Sequence, residues 1–134
     1  KSFVDDDWSR IEPYFEPDAV YEGRNASFGC RLEGVQAILR GMKKSLDGFD
    51  RRFTRRDVEI TDGPSVDGNE MQLGWKVVYH LEGKPSFTLP GRSTVRYAGD
   101  KIAYLADVYD DAAVSADFSA WQRQTGIVLD PSYT

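Results

Sequence analysis

With one cysteine and one histidine among 134 residues, the chain has little with which to bind metal or do redox chemistry. Cys30 cannot close an intrachain disulfide, and no cluster has zinc-ligand spacing, so no metal is expected. His80 is the only imidazole available for proton transfer near neutral pH. No apolar run approaches the roughly 20 residues of a membrane span and no secretory leader is visible, which reads as a soluble, cytoplasmic protein without a membrane partner. The chain opens on Lys rather than Met, which reads as trimming at the N-terminus. An excess of basic charge is also missing: 17 Lys and Arg against 22 Asp and Glu give a net charge of -5. Nucleic acid is therefore not an expected partner, because phosphate binding needs a basic footprint. The one basic cluster, Arg51, Arg52, Arg55 and Arg56, is followed by Asp57 and Glu59 and reads as a solvated strand edge.

What the chain does have is an ordinary globular composition, 40% hydrophobic and 13% aromatic, in a length that suits one domain over 1–134. Asp5 to Asp7 offer an N-cap to a short helix over 5–15 with Trp8, Ile11 and Phe15 on its apolar side, confined by Pro13 and Pro17. A short strand follows over 18–22, with Asp18 as a turn and capping residue, and then a turn at Gly23-Arg24-Asn25. Val35, Ile38, Leu39, Met42 and Leu46 recur at helical spacing, which predicts an amphipathic helix over 33–46 stopped by Gly48.

The period then changes to two. A strand over 52–62 carries Phe53 on one parity and Val58 and Ile60 on the other, a sign of a bulge near Arg55 and Arg56. Gly63-Pro64 reads as a loop. Over 70–82, Met71, Leu73, Trp75, Val77, Tyr79 and Leu81 alternate with polar residues, which puts Trp75 and Tyr79 on the apolar face and His80 on the other with Lys76 and Glu82. Phe87, Leu89, Val95 and Tyr97 extend an odd-numbered apolar face, interrupted at Pro90-Gly91. The tail over 112–134 reads as a helix with Phe118 and Trp121 inward, ended by Gly126, and then an arm. A short helix, a strand, a helix and four antiparallel strands make an α+β domain, a curved sheet wrapped as a cone around a helical layer with a pocket at its open mouth.

Asp107 is the anomaly. It lies in a strand whose neighbours Ile102, Ala103, Tyr104, Leu105, Ala106 and Val108 are apolar on both faces, where a bare carboxylate costs several kcal/mol. It must be paired, hydrogen-bonded or open to a cavity, and Arg92 is a candidate structural partner. By parity, Ile102, Tyr104, Ala106 and Val108 fall opposite Asp107 and make an apolar outer face, which in a small domain is normally covered.

The stretches IEPYFEPDAVYEG, RLEGVQAILRGM and GRSTVRYAGDKIAYLADVYD resemble, in order and spacing, the signature segments of the NTF2-like superfamily and, within it, the SnoaL-like and limonene-epoxide-hydrolase branches. The resemblance runs from Asp5 to Asp111 and implies the cone fold with its internal pocket. It also implies a small-molecule enzyme of isomerase, cyclase or lyase type and a homodimer through the outer sheet face. Asp107 falls where those branches keep a catalytic carboxylate, and Tyr21 matches a pocket tyrosine of the hydrolase; both are candidate catalytic residues. Trp75, Tyr79, Phe28 and Ser93 are candidate wall and substrate-binding positions for a small apolar, oxygenated ligand. The hydrolase's water-orienting Asn, Arg and Asp fall on Gly23, Val77 and Tyr79. The steroid-isomerase base and oxyanion-hole Asp fall on Gly23 and Ser93. What remains is a single-carboxylate chemistry in which Asp107 is the general acid/base, Tyr21 orients the substrate oxygen and no cofactor is needed. The alternative is a non-catalytic ligand-binding or assembly domain, for which Asp107 would be structural. Residues 112–134 are the candidate closure of the cone mouth, where only four residues precede Asp5 and a first helix is largely lacking.

Overall fold

The computed structural model describes residues 7–24, 29–109 and 111–133. A six-stranded sheet has the order β2-β1-β6-β5-β4-β3. Its strands are β1 (Phe15–Arg24), β2 (Cys30–Glu33), β3 (Arg55–Asp67), β4 (Glu70–His80), β5 (Phe87–Ala98) and β6 (Lys101–Val108). The β1–β6 pair is parallel and every other neighbouring pair is antiparallel. The sheet is curved and unclosed, and the helices α1 (Val35–Gly48) and α2 (Asp111–Thr125) complete an α+β fold.

The order of elements follows the sequence reading, with corrections. The helix expected over 5–15 is two 3-10 turns, Trp8–Arg10 and Glu12–Tyr14; Pro13 stands in the second, and its missing N–H prevents a continuous ladder. Of the Asp5–Asp7 cap only Asp7 is described, and its side chain makes no cap bond. Strand β1 is longer than expected and carries Asp18 within it, so Asp18 is a strand residue and not a turn cap. The four-residue β2 escaped notice because four residues are too few to show a period.

Strand β3 begins at Arg55, after Phe53, so the change of parity there is a strand start and not a bulge. The irregularities lie farther on, between Ile60 and Asp62 and between Asp62 and Ser65, and β3 runs through Gly63-Pro64 instead of breaking there. Strand β5 likewise runs unbroken through Pro90 and Gly91, which pair with Lys76 and Trp75. Gly91 has a packing reason: a Cβ there would stand 2.7 Å from the indole of Trp75.

The interior has two apolar clusters. One joins Phe49, Phe53, Val77, Tyr79, Phe87, Leu89, Val114, Phe118 and Trp121, so the inward Phe118 and Trp121 of α2 pack on β4 and β5. The other joins Phe15, Ala19, Tyr21, Leu32, Val35, Ile38 and Leu39, where α1 covers β1 and β2. Ile102 and Leu105 both pack against this second cluster. The register shift between Arg96 and Tyr97 leaves Ala103 unpaired on β5 and turns Ile102 inward, which removes it from the outer face that simple parity assigns. Tyr104, also expected to make that face apolar, is covered by Arg96 at 4.4 Å and hydrogen-bonded by Arg24 at 3.0 Å. Around it the strands carry charged pairs: Glu22 with Arg24 and Arg31, Arg96 with Glu70, Lys76 with Glu59 and Arg92 with Asp62. Among the described residues no helix is long and apolar enough to cross a membrane.

After Gly126 the arm runs back across α1. Asp130 N–H donates to the Gly48 carbonyl at 3.2 Å and Ser45 Oγ to the Pro131 carbonyl at 2.8 Å. Lys44 holds Asp130 and Ser132. The seat is made by the small residues Gly41, Ser45 and Gly48, each about one helical turn from the next. A Cβ on Gly48 would lie 2.2 Å from the Asp130 carbonyl oxygen, and one on Gly41 3.0 Å from that of Tyr133.

Candidate functional site

The two clusters do not meet everywhere, and between them lies a cavity of about 320 Å³. Tyr21, Trp75, Tyr79, Ser93 and Asp107 all border it, so the curvature of the sheet brings together five of the six positions singled out in the sequence. The sixth, Phe28, lies outside the described residues. The walls are otherwise mainly apolar, including Trp8, Met42, Leu46, Val77 and Leu89.

Register explains the convergence. Asp107 pairs with Ser93 on β5 and with Gly23 on β1, and Tyr21 lies two residues before Gly23, so the three side chains share the inner face. Tyr21 donates its hydroxyl to Asp107 Oδ2 at 2.6 Å, and Ser93 donates to Oδ1 at 2.6 Å. Behind Ser93, Trp75 Nε1–H donates to its Oγ at 2.8 Å. Indole nitrogen is only a donor, so Ser93 has its own hydrogen left for Asp107 and the direction of that chain is fixed. Gly91 leaves the room in which the indole lies. Arg92, the candidate structural partner, pairs instead with Asp62 at 3.0 Å. Among the described residues no cation pairs with Asp107. Burial raises its pKa, and the Ser93 and Tyr21 bonds oppose the rise only in part. Burial, then the nearby Asp107, push Tyr21 well above the usual phenol range, so it remains a donor at neutral pH.

The second polar centre was not foreseen. Asp50, in the 3-10 turn Asp50–Arg52 after α1, accepts from Tyr79 at 2.8 Å and from Arg56 at 3.1 Å, both at Oδ1. Asp50, Arg56 and Tyr79 all border the cavity. Arg56 is therefore not part of a solvated edge, unlike Arg55, which is exposed and pairs with Asp57. Burial raises the pKa of Asp50, opposed by the Tyr79 bond and the Arg56 charge. Tyr79 is raised by burial and by Asp50. His80 points away from the cavity and meets Asp57 at 3.0 Å, as strand parity requires.

The arm brings a further residue. Tyr133 borders the cavity, its ring centroid 5.3 Å from that of Tyr21, and the two hydroxyls are 3.2 Å apart. Its pKa is pushed up to about 12 by burial. Tyr109, just past β6, borders the cavity with Tyr133 and is likewise raised by burial, then by the nearby Tyr133. Sequence patterning missed Asp50 and Tyr133 because neither stands at a periodic position, whereas Arg56 shares the parity of Val58 and Ile60 and pairs with the inward Tyr79, a signal that its basic neighbours masked.

Residues 1–105 match the SnoaL-like domain family, a match that stops two residues before Asp107. No curated protein matches the chain at a significant level. Several solved structures share its fold. A protein with a ketosteroid isomerase-like fold from Catenulispora acidiphila DSM 44928, solved with trimethylamine, has 20% identity and a TM-score of 0.63, covering 95% of this chain and 88% of its own. An LEH-like epoxide hydrolase of M. tuberculosis has 17% identity and a TM-score of 0.61 over 93% of this chain and 84% of that one. A candidate polyketide cyclase from Pseudomonas putida KT2440 has 18% identity and a TM-score of 0.60 over 90% and 89%. At these identities the likeness is one of fold, and fold alone does not fix an activity. With more than half of its length matched by the family and the fold shared with these structures, the chain belongs to the SnoaL-like domain family.

Proposed function

We propose that the protein is a small-molecule enzyme of isomerase, cyclase or lyase type, with Asp107 as the general acid/base acting on an apolar, oxygenated ligand. The observation that carries this is a partly buried carboxylate bordering a cavity, held by two hydroxyls and paired with no cation among the described residues. A pKa raised by burial brings a carboxyl toward the range in which it both gives and takes a proton at mild pH. Tyr21, neutral and anchored on Oδ2, orients a substrate hydroxyl by accepting from it, and Trp75 and Tyr79 supply wall. Ser93 holds the second carboxylate oxygen. The cavity volume of about 320 Å³ lies at the small end of ligand pockets, which suits a compact polyketide, terpenoid or other ring compound. The chemistry calls for proton transfer alone, without a cofactor.

Activity screening against cyclic ketones, epoxides and polyketide-type phenols, with Asp107→Asn as the comparison, tests this reading. Loss of at least about a hundredfold in turnover with folding retained, in line with removal of a general acid/base, is the expected result; unchanged turnover overturns it. One observation favours a second reading, a non-catalytic ligand-binding domain. Both oxygens of Asp107 are already engaged by the protein, as a structural carboxylate's would be. Ligand binding that survives in Asp107→Asn without any turnover in the parent supports that reading.

A further inference from the structure

The hydroxyls beside Asp107 form a line. Tyr21 lies 2.6 Å from Asp107 Oδ2 and 3.2 Å from the Tyr133 hydroxyl, and each phenol has one hydrogen to give. Beyond Tyr133 stand Ser45 and Tyr109, which border the cavity with it. Ser45 gives its own hydrogen to the Pro131 carbonyl, so its oxygen is left as an acceptor. The line therefore has two self-consistent directions. With Asp107 ionised, Tyr133 donates to Tyr21 and Tyr21 to Oδ2. With Oδ2 protonated, Asp107 donates to Tyr21, Tyr21 to Tyr133, and Tyr133 onward to Ser45 or Tyr109. On the other side the Trp75–Ser93 chain cannot turn round, because indole only donates, and it keeps serving Oδ1 in both states.

We propose that Tyr133, carried to the cavity by the C-terminal arm, is a positioning residue of this site, the turning point of a hydroxyl chain that keeps Asp107 fully hydrogen-bonded whether or not it holds the proton. The proposal rests on the acid/base reading of Asp107 and adds to it the device that lets both forms exist in a buried place. A buried hydroxyl with no acceptor costs about 1–3 kcal/mol; without Tyr133 that cost falls on the protonated form, in which Tyr21 must pass its hydrogen on. The ionised form loses only a bond that Tyr21 accepts. The groups facing Tyr133 are Tyr21 from β1, Asp107 from β6, Tyr109 beyond it, Ser45 from α1, Asp50 after α1 and Tyr79 on β4. Of these only the two aspartates are carboxyls; Arg56 stands on Asp50, and Cys30 on β2, whose thiol burial pushes up, is the other titratable group coupled to Asp107. The arm is fixed for this task by Lys44 on Asp130 and Ser132 and by the glycine seat on α1.

The test follows the Asp107 carboxyl carbon by 13C NMR against pH in the full chain. Tyr133→Phe, and the protein with 3-fluorotyrosine at position 133, are each expected to move the Asp107 midpoint to lower pH. Fluorine makes the phenol a better donor to Tyr21 and a poorer acceptor from it, and so favours ionised Asp107. Tyr79→Phe, at the other polar centre, is expected to leave that midpoint where it is. A midpoint unmoved or raised by both substitutions at position 133 overturns the proposal. Should Tyr133→Phe fail to fold, the nearly isosteric fluorotyrosine protein decides alone, since a residue that only packs would leave the titration unchanged. Neither result depends on turnover. An unmoved midpoint leaves the catalytic reading standing, and turnover that survives in Asp107→Asn removes the catalytic reading but not the relay.

Discussion

Asp107 and Asp50 are both partly buried carboxylates, and they differ in what opposes their desolvation. Asp107 has hydroxyl donors only, whereas Asp50 has Tyr79 and the Arg56 guanidinium. For a carboxyl raised above its unfolded value near 3.9, the folded state binds the extra proton. Its contribution to stability is complete below that value and is lost as pH rises through the folded pKa. The stability of the parent relative to Asp107→Asn is thus expected to increase as pH is lowered from neutral into the mildly acidic range, measured by urea denaturation at each pH. Taking the difference removes the opposite slope of Glu22, Asp47 and Asp130, whose pKa values are lowered by their hydrogen-bonding and charged partners. Arg56→Met has a signature of its own. It leaves Asp50 without its cation and raises that pKa further, so a loss of about 1–2 kcal/mol at neutral pH is expected to shrink as pH falls. A loss independent of pH would mean that Arg56 contributes packing and not charge.

At the scale of the element, the site depends on glycines whose side chains would collide with other parts of it. Gly91→Ala places a methyl 2.7 Å from the Trp75 ring carbons, and the indole cannot withdraw without releasing Ser93. The expected result is a loss of about 1–3 kcal/mol, as for overpacking of an interior, with a change in Trp75 fluorescence read in a Trp8→Phe, Trp121→Phe background. Gly48→Ala acts through the arm. Its Cβ would stand 2.2 Å from main-chain oxygen of Asp130, which cannot swing aside as a side chain would, so the arm has to lift from α1. Faster cleavage by protease within 127–133 is expected, together with the same downward movement of the Asp107 midpoint that Tyr133→Phe produces. An arm that stays protected in Gly48→Ala would show the seat to be looser than its geometry.

For the whole molecule, the outer face of the sheet is laced with ion pairs around a capped Tyr104 instead of presenting an apolar stripe. We propose that a homodimer, if formed through this face, is held by charge complementarity, with Val108 as an exposed apolar point. Its association is then expected to weaken as salt rises from low to about 0.5 M, since exposed pairs are screened over a few ångströms at that ionic strength. Sedimentation velocity at both salt concentrations checks this, and a dimer indifferent to salt argues for another interface.

Local chemistry was enough to determine much of this protein. Alternation over Glu70–His80 put Trp75 and Tyr79 inside and His80 outside, helical spacing placed α1, and the apolar neighbours of Asp107 marked it as a residue in need of partners. Those signals depend on the few residues on either side, and so the sequence carries them. What only the tertiary structure decided is which partners Asp107 has. Asp50 is brought to the cavity by a turn after a helix, and Tyr133 by an arm lying in a groove of glycines on α1. Ile102 is turned inward by one unpaired residue in β6. Each depends on a contact between segments distant along the chain, and such contacts leave no period in the sequence to read.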